Sequence, residues 1–266
     1  MAILKNLVKS FDSLWPKDSA ESWDRPGLMV GSLDAEVSKV LLSVDITTAV
    51  MSEAIAQDCQ LVLAHHPMLL RPVHELGGQT GKGALVHKAI KSDLAVFAAH
   101  TNADIAAGGV SESLALALGL SSLRPLDGLT GHGHVGEVHE TSLLDFARMV
   151  AKAVPATAAG IKVAGDPDRR ISRVALVAGA GDGFLPQALC SGVDVFITSD
   201  LRHHPAQDFL EAAAASGGPS LIDIPHWAAE WPWLTSAAAQ LHRLHPDVEW
   251  VVSDLRTDPW DFTVVQ

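Results

Sequence analysis

The sequence contains no tyrosine, only two cysteines and far fewer basic than acidic residues. Without tyrosine, no phenol can serve as a general acid in this chain. Cys59 and Cys190 form no CxxC motif, which argues against a disulfide framework and against a zinc site made of thiolates. With 19 Lys and Arg against 31 Asp and Glu, the net charge of −12 argues against binding to nucleic acids or anionic membranes.

Long hydrophobic runs are also missing, because no apolar stretch approaches the ~18 residues that a membrane span requires. The first residues, MAILKNLVKSFDSLWP, predict an amphipathic helix, and no small-residue cleavage site of a signal peptide follows them. We therefore expect a cytoplasmic protein with no membrane partner. Its 266 residues are enough for one large domain or two modest domains.

Short β-rich runs alternate with helical stretches along most of the chain. Strands are predicted at 39–45, 60–64, 94–99, 173–179, 193–199, 219–224 and 248–253, and helices at 47–57, 83–91, 108–120, 143–154, 184–192, 204–216 and 227–243. This alternation predicts an α/β fold with largely parallel sheets. A polar, glycine-rich break at 127–136 marks the predicted boundary between lobes, with 1–126 and 224–266 in the first and 127–223 in the second.

Side chains that can bind a metal follow several predicted strands. They are Asp45, His65, His66, His100, Asn102, Asp104 and His226. Sites in open α/β sheets form at the carboxyl ends of the strands. Core packing alone would not concentrate imidazoles and carboxylates there, so the pattern predicts a metal site with nitrogen and oxygen ligands.

Two spacings favour a pair of ions over a single ion. His65 and His66 are adjacent in LVLAHHPMLL (61–70), and neighbouring side chains of an extended chain point to opposite faces. At the end of a strand the two could bind one ion together, or each could serve a different ion. In PHWAAEW (225–231), His226 and Glu230 lie one helical turn apart, where the carboxylate can bridge two ions about 3.5–4 Å apart.

Each of these motifs also has an ordinary structural explanation. An isolated HxxxE on a helix is more typical of a surface pair, and HTNAD (100–104) can form an Asx-type turn. The His-His-Pro of 65–67 recurs at 203–205, which indicates either two related halves or chance. The metal interpretation depends on the convergence of the motifs at strand ends.

Two glycine-rich stretches resemble phosphate-binding loops but depart from them. In LGGQTGKGAL (76–85), Gly83 stands where a P-loop has Ser or Thr, and Leu76 stands where it has its first glycine. In VAGAGDGF (177–184), Phe184 replaces the third glycine of GxGxxG. Neither predicts a nucleotide site by itself.

Several longer motifs occur together in one order along nearly the whole chain. They are SWDRPGLMVGS (22–32), LLSVDIT (41–47), LVLAHHPML (61–69), AAHTNADIAAGGVSESLALALGL (98–120), VDVFITSDLRHHPAQD (193–208) and IDIPHWAAE (222–230). Together they resemble the NGG-interacting-factor-three-like family, also called the GTP cyclohydrolase type 2 homologs. The chain departs from the family pattern at Ala228 and Ala229, and at Ser199 and Asp200, where relatives usually have a Gly-Glu pair.

The resemblance implies a ligand set, an architecture and an assembly. The implied ligands of two divalent ions, iron or zinc, are His65, His66, Asp104, His226 and Glu230, with Glu230 bridging. The implied fold has two α/β lobes with mixed, largely parallel sheets around a central metal-site cavity. The implied assembly is a homohexamer.

These features predict a metal-dependent hydrolase that acts on a nucleotide or a related small molecule. His203 or His204 is a candidate proton shuttle, and Arg202 a candidate anion contact. Asp45, His100 and Asn102 are predicted to contact substrate or to support the ligands. GTP as the substrate follows from the resemblance alone. The alternative is a non-enzymatic metal-binding or protein-interaction module, whose metal site would be closed instead of keeping an open position.

Overall fold

The computed structural model describes residues 1–265. The strands are β1 Ala2–Ile3, β2 Gly27–Val30, β3 Glu36–Val37, β4 Lys39–Ser43, β5 Leu61–Ala64, β6 Ala95–Ala98, β7 Ser121–Pro125, β8 His134–Ser142, β9 Lys162–Ala164, β10 Arg170–Ala180, β11 Val195–Ser199, β12 Ser220–Asp223 and β13 Glu249–Val252. The helices are α1 Leu4–Leu14, α2 Thr48–Ala56, α3 Gly81–Lys91, α4 Thr101–Asp104, α5 Val110–Ala117, α6 Leu143–Ala153, α7 Leu185–Cys190, α8 His203–Ser216 and α9 His226–Leu244.

The chain folds into two compact units, and each contains segments from two parts of the sequence. The first unit comprises Met1–Ala107 and Leu234–Thr257, and the second comprises Gly108–Trp233 and Asp258–Gln266. These bounds differ from the predicted boundaries after residues 126 and 223. The polar break at 127–136 lies inside the second unit, where it forms the connection from β7 to β8 and the start of β8.

The first unit is built on a five-stranded sheet in the order β13-β4-β5-β6-β2. The pairs among β13, β4, β5 and β6 are parallel, and β2 is antiparallel at the edge. Every residue of β5 and β6 is buried, which explains why LVLA and AVFA are continuous apolar runs without alternation. Side chains of α2 and α3, such as Met51 and Leu85, share one core with these strands.

The second unit is built on a six-stranded sheet in the order β7-β8-β10-β11-β12-β9. Its central strands β10, β11 and β12 are parallel, whereas β8 and β9 run antiparallel to their neighbours. The core includes Phe196 of β11 and Phe209 of α8. The prediction of an α/β fold with mixed, largely parallel sheets is confirmed. The prediction omitted β7, β8 and β9, because polar residues interrupt the apolar pattern of each.

The parallel strands determine where the candidate ligands lie in each unit. Adjacent parallel strands end at the same edge of a sheet, so the residues that follow β4, β5 and β6 share one edge of the first sheet. In the second unit, the residues that follow β11 and β12 lie at one edge in the same way. Among residues 1–265, no helix combines the length and the hydrophobicity that a membrane crossing requires.

Candidate metal centre

His65, directly after β5, has its proton position defined by the backbone. The side chain is 1% exposed, and its Nδ1 lies 2.9 Å from the carbonyl oxygen of Ala99. Because a carbonyl oxygen can only accept a hydrogen bond, Nδ1 is the donor in this contact. Nε2 lies 3.6 Å from Oδ1 of Asp104, the last residue of α4. Nε2 of His65 therefore faces the neighbouring carboxylate.

His66 is oriented by a carboxylate from the next strand. Its Nδ1 lies 2.8 Å from Oδ1 of Asp45, which follows β4. The second oxygen of Asp45 accepts a hydrogen bond of 2.5 Å from Thr257 Oγ1. The Asp45 carboxylate therefore accepts a hydrogen bond from Nδ1 of His66. Asp45 thus fixes the ring of His66, which the sequence analysis predicts to be a metal ligand.

His100, directly after β6, is held by Asp24 at 2.9 Å between Nδ1 and Oδ1. Asp24 also accepts hydrogen bonds from the backbone and the hydroxyl of Thr101, at 3.1 and 2.6 Å. Burial would raise the pKa of Asp24, but the hydrogen bonds from His100 and Thr101 outweigh it and lower that pKa to about 2. Asp24 therefore remains ionised and fixes the ring.

Asn102, in contrast, stabilises the backbone of α4. Its Oδ1 accepts a hydrogen bond of 2.9 Å from the backbone N–H of His100, and its amide donates one of 2.7 Å to the carbonyl of Trp15. The side chain is buried, as expected for a turn-stabilising asparagine. Asn102 thus stabilises the loop that carries His100 and Asp104.

The three imidazoles of the first unit form one group, the histidine cluster (His65, His66 and His100). The ring centroids lie 4.9, 5.2 and 5.4 Å apart. One ring nitrogen of each lies within 4.8 Å of those of the others, so this group could hold a metal ion.

In the second unit, His226 lies between two carboxylates. Its Nε2 is 2.8 Å from Glu230 Oε1 and its Nδ1 is 2.7 Å from Asp200 Oδ2. Burial would lower the pKa of His226, but Glu230 and Asp200 outweigh it and raise that pKa to about 11. With this pKa, Nε2 of His226 carries a proton at neutral pH. An ion that binds Nε2 would have to displace that proton, as metal binding to imidazole generally does.

A glycine provides the space beside this pair. Gly179, at the end of β10, has φ of +74°, and a Cβ added to it would lie 2.6 Å from Glu230 Oε1 and 3.4 Å from His226 Nε2. Such a contact is shorter than real Cβ atoms show. The motif VAGAGDGF resembles a nucleotide-binding loop in sequence, but its Gly179 has a different structural role in this fold. It lets a strand approach the buried Glu230 carboxylate.

The candidate proton shuttles lie in the first turn of α8. His203 and His204 are both exposed, and their ring centroids are 5.2 Å apart. Arg202 precedes them, and its Nε donates a hydrogen bond of 2.7 Å to Asp182 Oδ2. The guanidinium therefore already has a carboxylate partner, although its side chain remains 76% exposed.

The sequence analysis assigned no role to three residues that define these sites, namely Asp24, Asp200 and Gly179. Asp24 lies in the turn SWDRPG, and Asp200 follows β11 with φ of +55°, a conformation that aspartate tolerates better than most residues. Asp200 stands at a position where the sequence departs from the family pattern. That departure therefore determines which side chain contacts Nδ1 of His226.

Comparison with known proteins identifies the family. The model of the Duf34/NIF3 (NGG1p interacting factor 3) family matches residues 2–259. The chain belongs to the NIF3 family. A NIF3-family relative from Streptomyces coelicolor, named GTP cyclohydrolase 1 type 2 homolog, is 42% identical, over 98% of this chain and 94% of the relative. A relative of the same name from Clostridium perfringens is 31% identical, over 97% of this chain and 99% of the relative.

Solved structures agree with this family assignment. A Bacillus cereus protein related to NIF3 superposes with a TM-score of 0.90 at 24% identity, over 99% of this chain and 100% of the other. A Staphylococcus aureus protein superposes with a TM-score of 0.88 at 27% identity, over 99% and 100% of the two chains. The resemblance predicted from the sequence motifs is confirmed, and the chain has the fold of NIF3 proteins.

Proposed function

We propose that this NIF3-family chain is a dinuclear metal-dependent hydrolase that acts on a nucleotide or a related small molecule. The observation that carries the proposal is the state of the imidazoles. In His65, His66 and His226, Nδ1 lies 2.9, 2.8 and 2.7 Å from an oxygen that fixes the orientation of the ring. Metal-binding histidines in proteins almost always show this arrangement, because the second nitrogen fixes the ring and its tautomer.

The donor set fits two divalent ions, iron or zinc. The proposed ligands are His65, His66, Asp104, His226 and Glu230. Imidazole and carboxylate donors suit both metals. Glu230 is the proposed bridging ligand, since its carboxylate offers two oxygens and Oε1 lies 2.8 Å from Nε2 of His226. Five protein ligands shared by two ions would leave coordination positions open, as catalytic sites require.

Two bound ions would supply Lewis acidity, which lowers the pKa of water and stabilises charge that develops in a hydrolytic reaction. The chain itself would hold the ligands through Asp45 and Asp200. His203 and His204 are exposed and could exchange protons with solvent. Arg202 could contact an anionic group of the substrate. The names of the relatives favour GTP, in which case the guanine imidazole ring would be opened and formate released.

A nucleotide screen tests the proposal. The protein is loaded with Zn²⁺ or Fe²⁺ and incubated with GTP and other nucleoside triphosphates, and formate and phosphate release are measured. We expect turnover of at least one nucleotide by the wild type and none by Glu230→Ala. Metal-loaded protein that turns over no member of the panel would contradict the hydrolase proposal.

The family description itself favours a second candidate, a metal-binding protein-interaction module, because it refers to a factor that interacts with NGG1p. This candidate predicts metal binding without turnover. It also predicts a closed metal site with no open coordination position. Added small anions should then leave the visible spectrum of a substituted Co²⁺ ion unchanged. Turnover and the Co²⁺ spectrum, measured on metal-loaded protein, therefore distinguish the two candidate functions.

We further propose that the chain is a cytoplasmic homo-oligomer, a hexamer as the resemblance implies. Apolar side chains of the last residues support association with further copies. Trp260, Phe262, Val264 and Val265 are 64%, 79%, 76% and 88% exposed. In an extended segment, residues 260, 262 and 264 would share one side, which suits packing against another chain.

Replacing Trp260 and Phe262 by serine should therefore reduce the size of the assembly. The reason is that two large apolar side chains would no longer be buried between copies. Size-exclusion chromatography with light scattering measures the mass, and Leu129→Ser serves as the control, because Leu129 is 97% exposed on a separate loop. An unchanged mass in the double variant would exclude this segment from the interface.

A further inference from the structure

We propose that the turn at residues 22–26, the recognition turn, binds a nucleotide, with Trp23 stacking on the base and Arg25 contacting a phosphate group. The inference rests on the proposed function and deepens it, because it assigns recognition of the substrate to particular side chains. The recognition turn directly precedes β2 and belongs to the first unit.

The recognition turn is fixed against the loop that carries His100. The backbone N–H of Glu21 donates a hydrogen bond of 3.0 Å to Thr101 Oγ1. On the other side of Trp23, the fully buried carboxylate of Asp24 accepts hydrogen bonds from His100 and Thr101. Burial of a carboxylate is costly unless such bonds satisfy it, so this attachment is stable. Trp23 is therefore held next to the ends of the parallel strands.

Trp23 presents an aromatic surface beside the histidine cluster. The ring centroids of Trp23 and His100 are 5.8 Å apart, and the two rings are nearly perpendicular, at 79°. This contact orients the indole, but 56% of Trp23 is exposed. An exposed indole forfeits much of the hydrophobic stabilisation that a tryptophan normally provides. A large aromatic ring held in one orientation at this place is suited to stack on a flat heteroaromatic ring.

Arg25 adds a positive charge to the same turn. Its Nη1 donates hydrogen bonds to the carbonyl oxygens of Ser22 and Asp24, at 2.9 and 2.5 Å. These carbonyls orient the guanidinium but do not neutralise its charge, and the side chain is exposed. A guanidinium has five N–H donors in a planar fork that matches the oxygens of a phosphate. The turn therefore combines an aromatic surface with an oriented cation.

This combination favours a nucleoside phosphate over a free nucleoside or a simple phosphate. Every base has a π-face, so stacking on Trp23 would tolerate several bases and would not select guanine by itself. The contact with Arg25 would depend on the phosphate and not on the base. We therefore expect the two side chains to act on different parts of the same ligand.

Binding of fragments tests the two contacts separately. GTP, guanosine and inorganic triphosphate compete with a fluorescent GTP analogue for the metal-loaded protein, and affinities are taken from the displacement. Trp23→Ala should weaken binding of GTP and guanosine by about 5- to 150-fold, which corresponds to the ~1–3 kcal/mol of one stacked base, and leave triphosphate unchanged. Trp23→Phe should recover most of the affinity.

Arg25→Gln should show the opposite selectivity. It should weaken GTP and triphosphate by about 10- to 100-fold, as loss of a hydrogen bond between charged groups does, and leave guanosine unchanged. Ile90→Ala and Lys91→Gln are matched controls, because both residues are exposed at the end of α3, just before β6 begins. Neither control should change any of the three affinities.

The outcomes are distinguishable from those of the proposed function. If Trp23→Ala binds GTP as the wild type does, or if the wild type binds none of the probes, the inference is wrong. Equal losses for guanosine and triphosphate in Trp23→Ala would indicate general damage and also overturn it. If binding depends on Trp23 but no nucleotide is turned over, the hydrolase proposal fails and the recognition turn stands. Unchanged affinity with a smaller assembly in light scattering would instead assign Trp23 to a contact between copies.

Discussion

Replacing Glu230 by alanine should lower the metal content from about two ions per chain to about one, and should abolish hydrolysis. Glu230 is 3% exposed and lies 2.8 Å from Nε2 of His226, so the variant loses one of the five proposed donors at a buried position. Removal of a residue that only hydrogen-bonds to a metal ligand typically lowers activity by ~10–100-fold, and the loss in Glu230→Ala should be larger. Elemental analysis and the nucleotide screen measure the two effects.

Glu211→Ala is the control for this variant, because Glu211 is an exposed carboxylate on α8 of the same unit. It should keep the metal content and the activity of the wild type. Glu230→Gln retains the volume and one oxygen, and should keep more metal than the alanine variant. A Glu230→Ala protein with the full metal content of the wild type would overturn the ligand assignment.

The residues that follow strands could be predicted from the sequence because two strong patterns coincide there. The runs LVLA and AVFA identify buried parallel strands, and the next polar residues necessarily lie at the edge of the sheet. The positions of His65 and His100 at strand ends could therefore be predicted without coordinates. The repeated His-His-Pro was less informative. The first pair directly follows β5, whereas the second opens α8, so the same three letters occur in different local structures.

The partners that fix the imidazoles could not be predicted in the same way. Asp24 and Asp200 contact histidines that are distant in the sequence, 76 and 26 residues away. No spacing rule connects such pairs, since they depend on which loops the sheets bring together. Gly179 was recognised only as part of a glycine-rich motif, because the reason for the glycine is a side chain from α9. Supporting residues of this kind are specified by the tertiary fold and not by local pattern.

Gly179→Ala should remove metal from the second-unit ligands although it changes no ligand. Two effects are expected. The positive φ of 74° would cost about 1–2 kcal/mol in the free energy of unfolding, since alanine disfavours this conformation. The added methyl would also lie 2.6 Å from Glu230 Oε1 and displace that carboxylate. We therefore expect about one ion per chain and no hydrolysis, as for Glu230→Ala.

A second glycine separates these two effects. Gly217, which ends α8, has φ of +70°, and a Cβ added there meets no atom within 4 Å. Gly217→Ala should thus lose a similar ~1–2 kcal/mol in urea denaturation but keep the full metal content. If Gly179→Ala behaves like Gly217→Ala in both measurements, the close approach to Glu230 has no functional consequence. If only Gly179→Ala loses metal, the space beside the carboxylate is required for the ion, and backbone strain alone is excluded as the cause.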